Sequence, residues 1–205
     1  GYTTSFGAGS DDFYLVKTDE NSDVEWSKTY GGSASDKAFS VIQTVDGGYA
    51  IGGTTQSFGS GASDAYFVRT DAYGDTLWTK AYGTTSTEQI EQIVELTDGS
   101  FVMVGSSSND VLLIKINSVG DTLWTSIFDA GSTDVGYSVS VGTSGGFLIA
   151  GKTNGQGAGG YDALVIKVSS SGNIQGAYTY GGTETDVASS IFPVSDGGYI
   201  VGGDS

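Results

Sequence analysis

The chain has 205 residues, a formal charge of −16 with 8 Lys and Arg, and neither His nor Cys. The missing imidazole and thiol remove the usual general base, the thiol nucleophile, disulfides and nitrogen or sulfur metal sites. The scarcity of cations excludes binding to a nucleic acid backbone, disfavours an anionic membrane surface, and leaves cations or basic protein surfaces as the natural electrostatic partners.

Nearly the whole sequence is one stretch, Asp46 to Tyr82, written again with changes. The aromatic after each Gly-rich turn falls at Tyr49, Phe101, Phe147 and Tyr199, in steps of 52, 46 and 52. Three more columns keep those steps: Asp12, Asp64, Asp110, Asp162; Lys17, Arg69, Lys115, Lys167; and Asp36, Glu88, Asp134, Asp186. Such self-similarity marks a repeat architecture. The short middle step has one cause, a loop reduced to Ser106–Asp110. The repeats run over about 1–52, 53–104, 105–150 and 151–205 and are read as one domain. The chain opens inside a repeat, as a mature fragment would. No apolar run approaches membrane-spanning length, so no membrane insertion is expected.

Within a repeat the pattern predicts four short strands, A to D. In the first whole repeat they lie near residues 38–44, 49–53, 65–70 and 76–82. Val, Ile, Tyr, Phe and Thr fill the strands, with Gly, Asp and Asn at the breaks. Asp46-Gly47-Gly48, Asp98-Gly99-Ser100, Ser144-Gly145-Gly146 and Asp196-Gly197-Gly198 supply tight A–B hairpins. Residues 71–75 and their equivalents form longer C–D hairpins and lack the spacing and terminal Glu of an EF-hand loop. Residues 88–96 are the best helical candidate, but their equivalents are strand-like. Strand C is apolar on both faces, as a strand between two layers must be.

Four-stranded antiparallel units of roughly 50 residues fit the blades of a β-propeller. The expected fold is all-β, with four blades of four antiparallel strands. Strands A and B of the last repeat (187–203) would join strands C and D of the first (13–30) in a composite closing blade. The alternative is part of a larger propeller, or a half that pairs with a second copy, so the chain is a monomer or a homodimer. Pro193 lies in the last strand A, whose free edge tolerates a residue without a ladder donor.

The repeat text GYTTSFGAGSDDFYLVKTDENSDVEWSKTYGG, DGGYAIGG and DAYFVRTDAYGDTLWTKAYG resembles the β-propeller repeats of secreted bacterial proteins, most closely those of Bacteroidetes type IX secretion cargo. The resemblance covers nearly the whole chain. It implies a secreted or cell-surface propeller and no defined activity. The C-terminal sorting domain of such cargo is not among these residues. The last repeat departs from the pattern, with Gly176 in place of Trp26, Trp78 and Trp124.

In a propeller the B–C and D–A loops open on one face, which gathers eight carboxylates there. Asp12, Asp64, Asp110 and Asp162 form a ligand-binding candidate set, and Asp36, Glu88, Asp134 and Asp186 a metal candidate set, with Ca2+ as the cofactor they would suit. The other reading has each acid capping its own loop, or pairing with the Lys17, Arg69, Lys115, Lys167 column. That column needs partners in an apolar strand. An anion site there is the other use. The three tryptophans on strand D read as packing between blades, with sugar stacking as the functional alternative. Phe6 and Phe58, in SFG-containing Gly-rich loops, are the better ligand contacts or else local loop anchors. The acids peculiar to one repeat (Glu91, Glu95, Asp129, Glu184) form no evident pair. The expected function is therefore a non-enzymatic extracellular scaffold or recognition module for a protein or glycan. A multivalent lectin and a carboxylate-dependent polysaccharide hydrolase or lyase are the alternatives.

Overall fold

The computed structural model describes residues 1–142 and 145–205. Among these residues every regular element is a strand, and the strands fall in five antiparallel sheets. The first sheet holds β1 (Tyr2–Thr3), β2 (Asp12–Thr18) and β3 (Val24–Tyr30). The second runs β4 (Asp36–Gln43), β5 (Tyr49–Thr55), β6 (Asp64–Thr70) and β7 (Thr76–Tyr82) in chain order. The third comprises β8 (Glu88–Glu95), β9 (Phe101–Ser107), β10 (Asp110–Ile116) and β11 (Thr122–Phe128). The fourth holds β12 (Asp134–Val141), β13 (Phe147–Thr153), β14 (Asp162–Val168) and β15 (Ile174–Tyr180). The last is the pair β16 (Val187–Pro193) and β17 (Tyr199–Asp204). Two compact units divide the chain, Gly1–Glu95 and Leu96–Ser205.

The four-strand repeat read from the sequence is thus present. The composite closing blade is not formed as one sheet. At β2 the edge that a strand B would use is taken at Asp12 and Phe13 by β1, and the Tyr14 N–H donates to the Gly1 carbonyl at 2.9 Å.

Local chemistry explains the turns. In the A–B hairpin the Gly47 N–H donates to the Thr44 carbonyl at 2.8 Å, and Gly47 adopts φ +88°, where a side chain would be strained. The Asp46 carboxylate accepts from the Thr44 hydroxyl at 2.7 Å and from the Gly48 N–H at 3.2 Å. Asp71 does the same in the C–D hairpin, accepting the Tyr73 and Asp75 amides at 2.8 and 2.9 Å. Of the expected Ser144-Gly145-Gly146 turn, Ser144 lies outside the described residues.

Of residues 88–96, Glu88–Glu95 are strand and none is helix. Their equivalents β4, β12 and β16 each carry a register shift, at Ala38/Ser40, Gly136/Ser138 and Ala188/Ser190. Such a bulge turns residues three apart to the same face. Ile90 and Ile93 accordingly both pack against Gly52 and mimic a helical period. The Ser that follows the bulge links one strand A to the next: Ser40 Oγ accepts the Ile93 N–H at 3.1 Å, and Ser138 Oγ the Ile191 N–H at 3.4 Å.

Apolar side chains of adjacent sheets meet in repeated clusters. Phe13 and Tyr30 pack with Ala38, Ile51, Tyr66 and Val68, and Leu148, Ala150 and Val165 pack with Ala188 and Ile191. Full burial of such a side chain contributes roughly 1.5–3 kcal/mol. Covered on both faces, β6 is buried at every residue. Trp26 and Trp124 pack between neighbouring sheets, with ring centroids 5.6 Å from Tyr49 and 5.9 Å from Phe147. Trp78 stacks on Phe67 at 5.1 Å.

Candidate functional site

Two recurrent hydrogen bonds build the loop face. The backbone N–H of each D–A acid donates to the carbonyl of the residue just before the B–C acid. Asp36 reaches Asp11 at 2.7 Å, Glu88 reaches Ser63 at 2.9 Å, Asp134 reaches Asn109 at 2.6 Å and Asp186 reaches Tyr161 at 2.7 Å. Each repeat therefore brings its two predicted acids together at a fixed sequence spacing of 24 residues.

Most of these carboxylates are consumed by the loops. Asp12 is 1 % exposed and accepts the Gly9 N–H at 3.1 Å. Asp64, 2 % exposed, accepts the Ser60 and Gly61 amides, both at 3.1 Å. Asp162 accepts the Ala158 amide at 3.1 Å. The D–A acids take the amide four residues earlier: Gly32 to Asp36 at 2.8 Å, Thr84 to Glu88 at 3.3 Å, Ala130 to Asp134 at 2.7 Å and Gly182 to Asp186 at 2.9 Å. Asp36 also accepts from the Thr55 and Ser57 hydroxyls. A buried carboxylate is sustained by such bonds. Loop capping thus describes seven of the eight acids; Asp110 is the exception, and its carboxylate accepts no hydrogen bond among the described residues.

The basic column does not pair with these acids. Arg69 pairs with Asp46 of the A–B turn, and Lys17 with Glu25 on strand D. Glu91 and Glu95 are also engaged, the first by the Gln89 amide and the second by the Val45 N–H at 2.9 Å.

Phe6 and Phe58 stand on the loops that Asp12 and Asp64 fix. Each stacks on a strand-C tyrosine, Phe6 on Tyr14 at 6.0 Å and Phe58 on Tyr66 at 5.3 Å. They stay 63 % and 44 % exposed. They are loop anchors that also present an aromatic face. A concavity of about 510 Å³ is lined by Tyr2, Lys37, Phe39, Gln56, Thr87 and Gln89. Lys37 sits 4.8 Å from the Tyr2 ring centroid and 3.4 Å from Asp11, so the cation is held by a ring and a carboxylate. Sequence reasoning missed this hollow, because its lining comes from strand A and three separate loops.

Asp129 is the second residue the sequence reading left unassigned. Its carboxylate lies in one group with those of Asp110 and Asp134, the nearest oxygens within 4.8 Å of one another. The signal was available: at this position, five before the D–A acid, the other repeats have Gly31, Gly83 and Gly181. Burial first, then the negative charges of Asp129 and Asp134, raises the Asp110 carboxyl above its ordinary value.

No protein-family model and no curated protein matches the sequence. Solved structures are similar in fold. A protein of unknown function from Bacteroides caccae superposes with a TM-score of 0.58 at 14 % identity, covering 92 % of this chain and 64 % of that one. The WD40 domain of Neurospora crassa Pan2 gives 0.52 at 13 % identity, covering 75 % of this chain and 40 % of that one. The chain thus spans less than two thirds of the length of either structure. At such identities the likeness establishes a propeller-type fold and nothing of activity.

Proposed function

We propose that this propeller is a non-enzymatic recognition module, acting outside the cell or on its surface, whose ligand is a protein or a glycan. The observation that carries it is the pair of aromatic platforms, Phe6 on Tyr14 and Phe58 on Tyr66, held out on loops fixed by buried carboxylates. Rigid, partly exposed rings bind sugar faces and protein side chains at low entropic cost. The hollow with Lys37 and Phe39 offers a cationic and an apolar contact. The carboxylates a hydrolase would need are mostly spent on loop amides, which favours binding over catalysis. The extracellular placement rests on the repeat text alone.

A glycan and surface-protein binding panel tests this, with Phe6→Ala/Phe58→Ala beside the unaltered chain. Binding that falls at least tenfold in the double variant, without turnover, supports the reading. Product formation from a polysaccharide would replace it with the hydrolase or lyase, and about four equivalent sites would favour the lectin.

A four-bladed ring closed by the last strands A and B belongs to the same proposal. Light scattering tests it: a monomer near 21.0 kDa fits the closed ring, and a dimer fits two halves of a larger one.

A further inference from the structure

In three repeats the two loop carboxylates close on a glycine. A Cβ at Gly181 would stand 2.6 Å from both the Asp162 and the Asp186 carboxylate, and one at Gly31 or Gly83 would collide with Asp12 and Asp36, or with Asp64 and Glu88. Those positions have no room for a side chain, and the loop amides neutralise the carboxylates. The repeat of residues 105–150 inverts both features. Its B–C loop is the shortened one, so the amides that cap Asp12, Asp64 and Asp162 are missing, and Asp110 is left uncapped. The glycine is replaced by Asp129. Two donors are lost and a third negative charge is added at one point.

An independent observation lies at the bottom of this cluster. Asp134 is fully buried, and its Oδ1 has no hydrogen-bond partner. Oδ2 accepts the Ala130 N–H at 2.7 Å. In the equivalent Asp36 the corresponding oxygen receives the Thr55 hydroxyl. A fully buried carboxylate with one oxygen unpaired, grouped with two more carboxylates, calls for a positive charge. Among the described residues no Lys or Arg forms an ion pair with these three acids.

We propose that Asp110, Asp129 and Asp134 form a site for one hard divalent cation, Ca2+ in the first instance. Three carboxylates from one loop and two strand starts, graded from buried to exposed, suit an ion that takes several oxygen ligands and completes its shell with water. The site belongs to this repeat alone, because only here are the loop amides and the glycine both gone.

The test is calcium titration calorimetry on the full chain after chelator dialysis, with thermal melts alongside. The expected result is one Ca2+ per chain and a melting temperature that rises with Ca2+. Asp129→Gly, which restores the residue of the other repeats, should weaken binding at least tenfold and abolish the thermal response. Asp129→Asn should do the same, and it keeps the volume should the glycine disturb the loop. Asp23→Asn, at an exposed C–D turn, should bind as the unaltered chain does. No binding heat and no thermal shift, several equivalent sites, or unchanged affinity in both Asp129 variants would overturn the proposal.

Discussion

The Arg69 guanidinium grips the Asp46 carboxylate with Nη2, at 2.6 Å to Oδ1 and 2.5 Å to Oδ2, across the mouth of the A–B hairpin. The Thr44 hydroxyl first, then Arg69, then the Gly48 amide hold the Asp46 carboxyl down at about 2. A depressed carboxyl stabilises the fold above its unfolded value and loses that contribution as pH falls toward the folded one. Stability should therefore decline between about pH 4 and pH 2, read from melting temperatures across that window. Asp46 is well exposed, so screening limits the pair, and Asp46→Asn should cost about 1 kcal/mol. Asp46→Asn should also flatten the acid limb. A loss unchanged in Asp46→Asn would remove this pair from the account.

Gly83 and Asp129 occupy equivalent positions and should respond in opposite ways. Gly83→Ala pushes a methyl into the buried Asp64 and Glu88 carboxylates and should cost about 1–3 kcal/mol. Asp129→Gly relieves like-charge repulsion and should leave stability without Ca2+ unchanged or raised. Denaturant midpoints of the two variants decide it. A neutral Gly83→Ala would mean that the loop acids yield easily.

The Tyr30 hydroxyl donates to the Gly74 carbonyl at 2.8 Å, at the turn on which the Trp26 ring rests. Burial, then Asp75 and Asp71, pushes the phenol up to about 12. A group raised in the folded state stabilises below its unfolded value and loses that contribution as pH rises through the folded one. Stability should fall between about pH 10 and pH 12. An ultraviolet titration should show one tyrosine ionising late, and Tyr30→Phe should remove that step at a cost of about 1 kcal/mol. A normal phenol titration would contradict the buried bond.

Asp64→Ala removes the acceptor of the Ser60 and Gly61 amides and should release the loop under Phe58. Amide exchange in residues 56–63 should speed up while β5 and β6 stay protected. Stability should drop by about 1 kcal/mol, because the two freed amides belong to exposed residues and can turn to water. Slow exchange in this loop would show that Phe58 stacking on Tyr66 holds it unaided.

The four-strand repeat, its turns and the pairing of acids at equal steps could be read from spacing alone, because a strand period and a Gly-bearing hairpin are local properties. Even the loop-capping role of Asp12 and Asp36 follows from repetition, since a need met in every repeat is a structural one. At residues 88–96 the isoleucine spacing resembles a helix, but the strand-like equivalents in the other repeats pointed to the strand that β8 forms. What Arg69 pairs with depended on which turn closed over it. Asp129 stood out in the sequence as an isolated acid. Its meeting with Asp110 and Asp134 required the ends of two strands and the loop between β11 and β12 to be folded onto one point. Spacing fixes what a residue can do locally; only tertiary approach decides which charges are left without an answer.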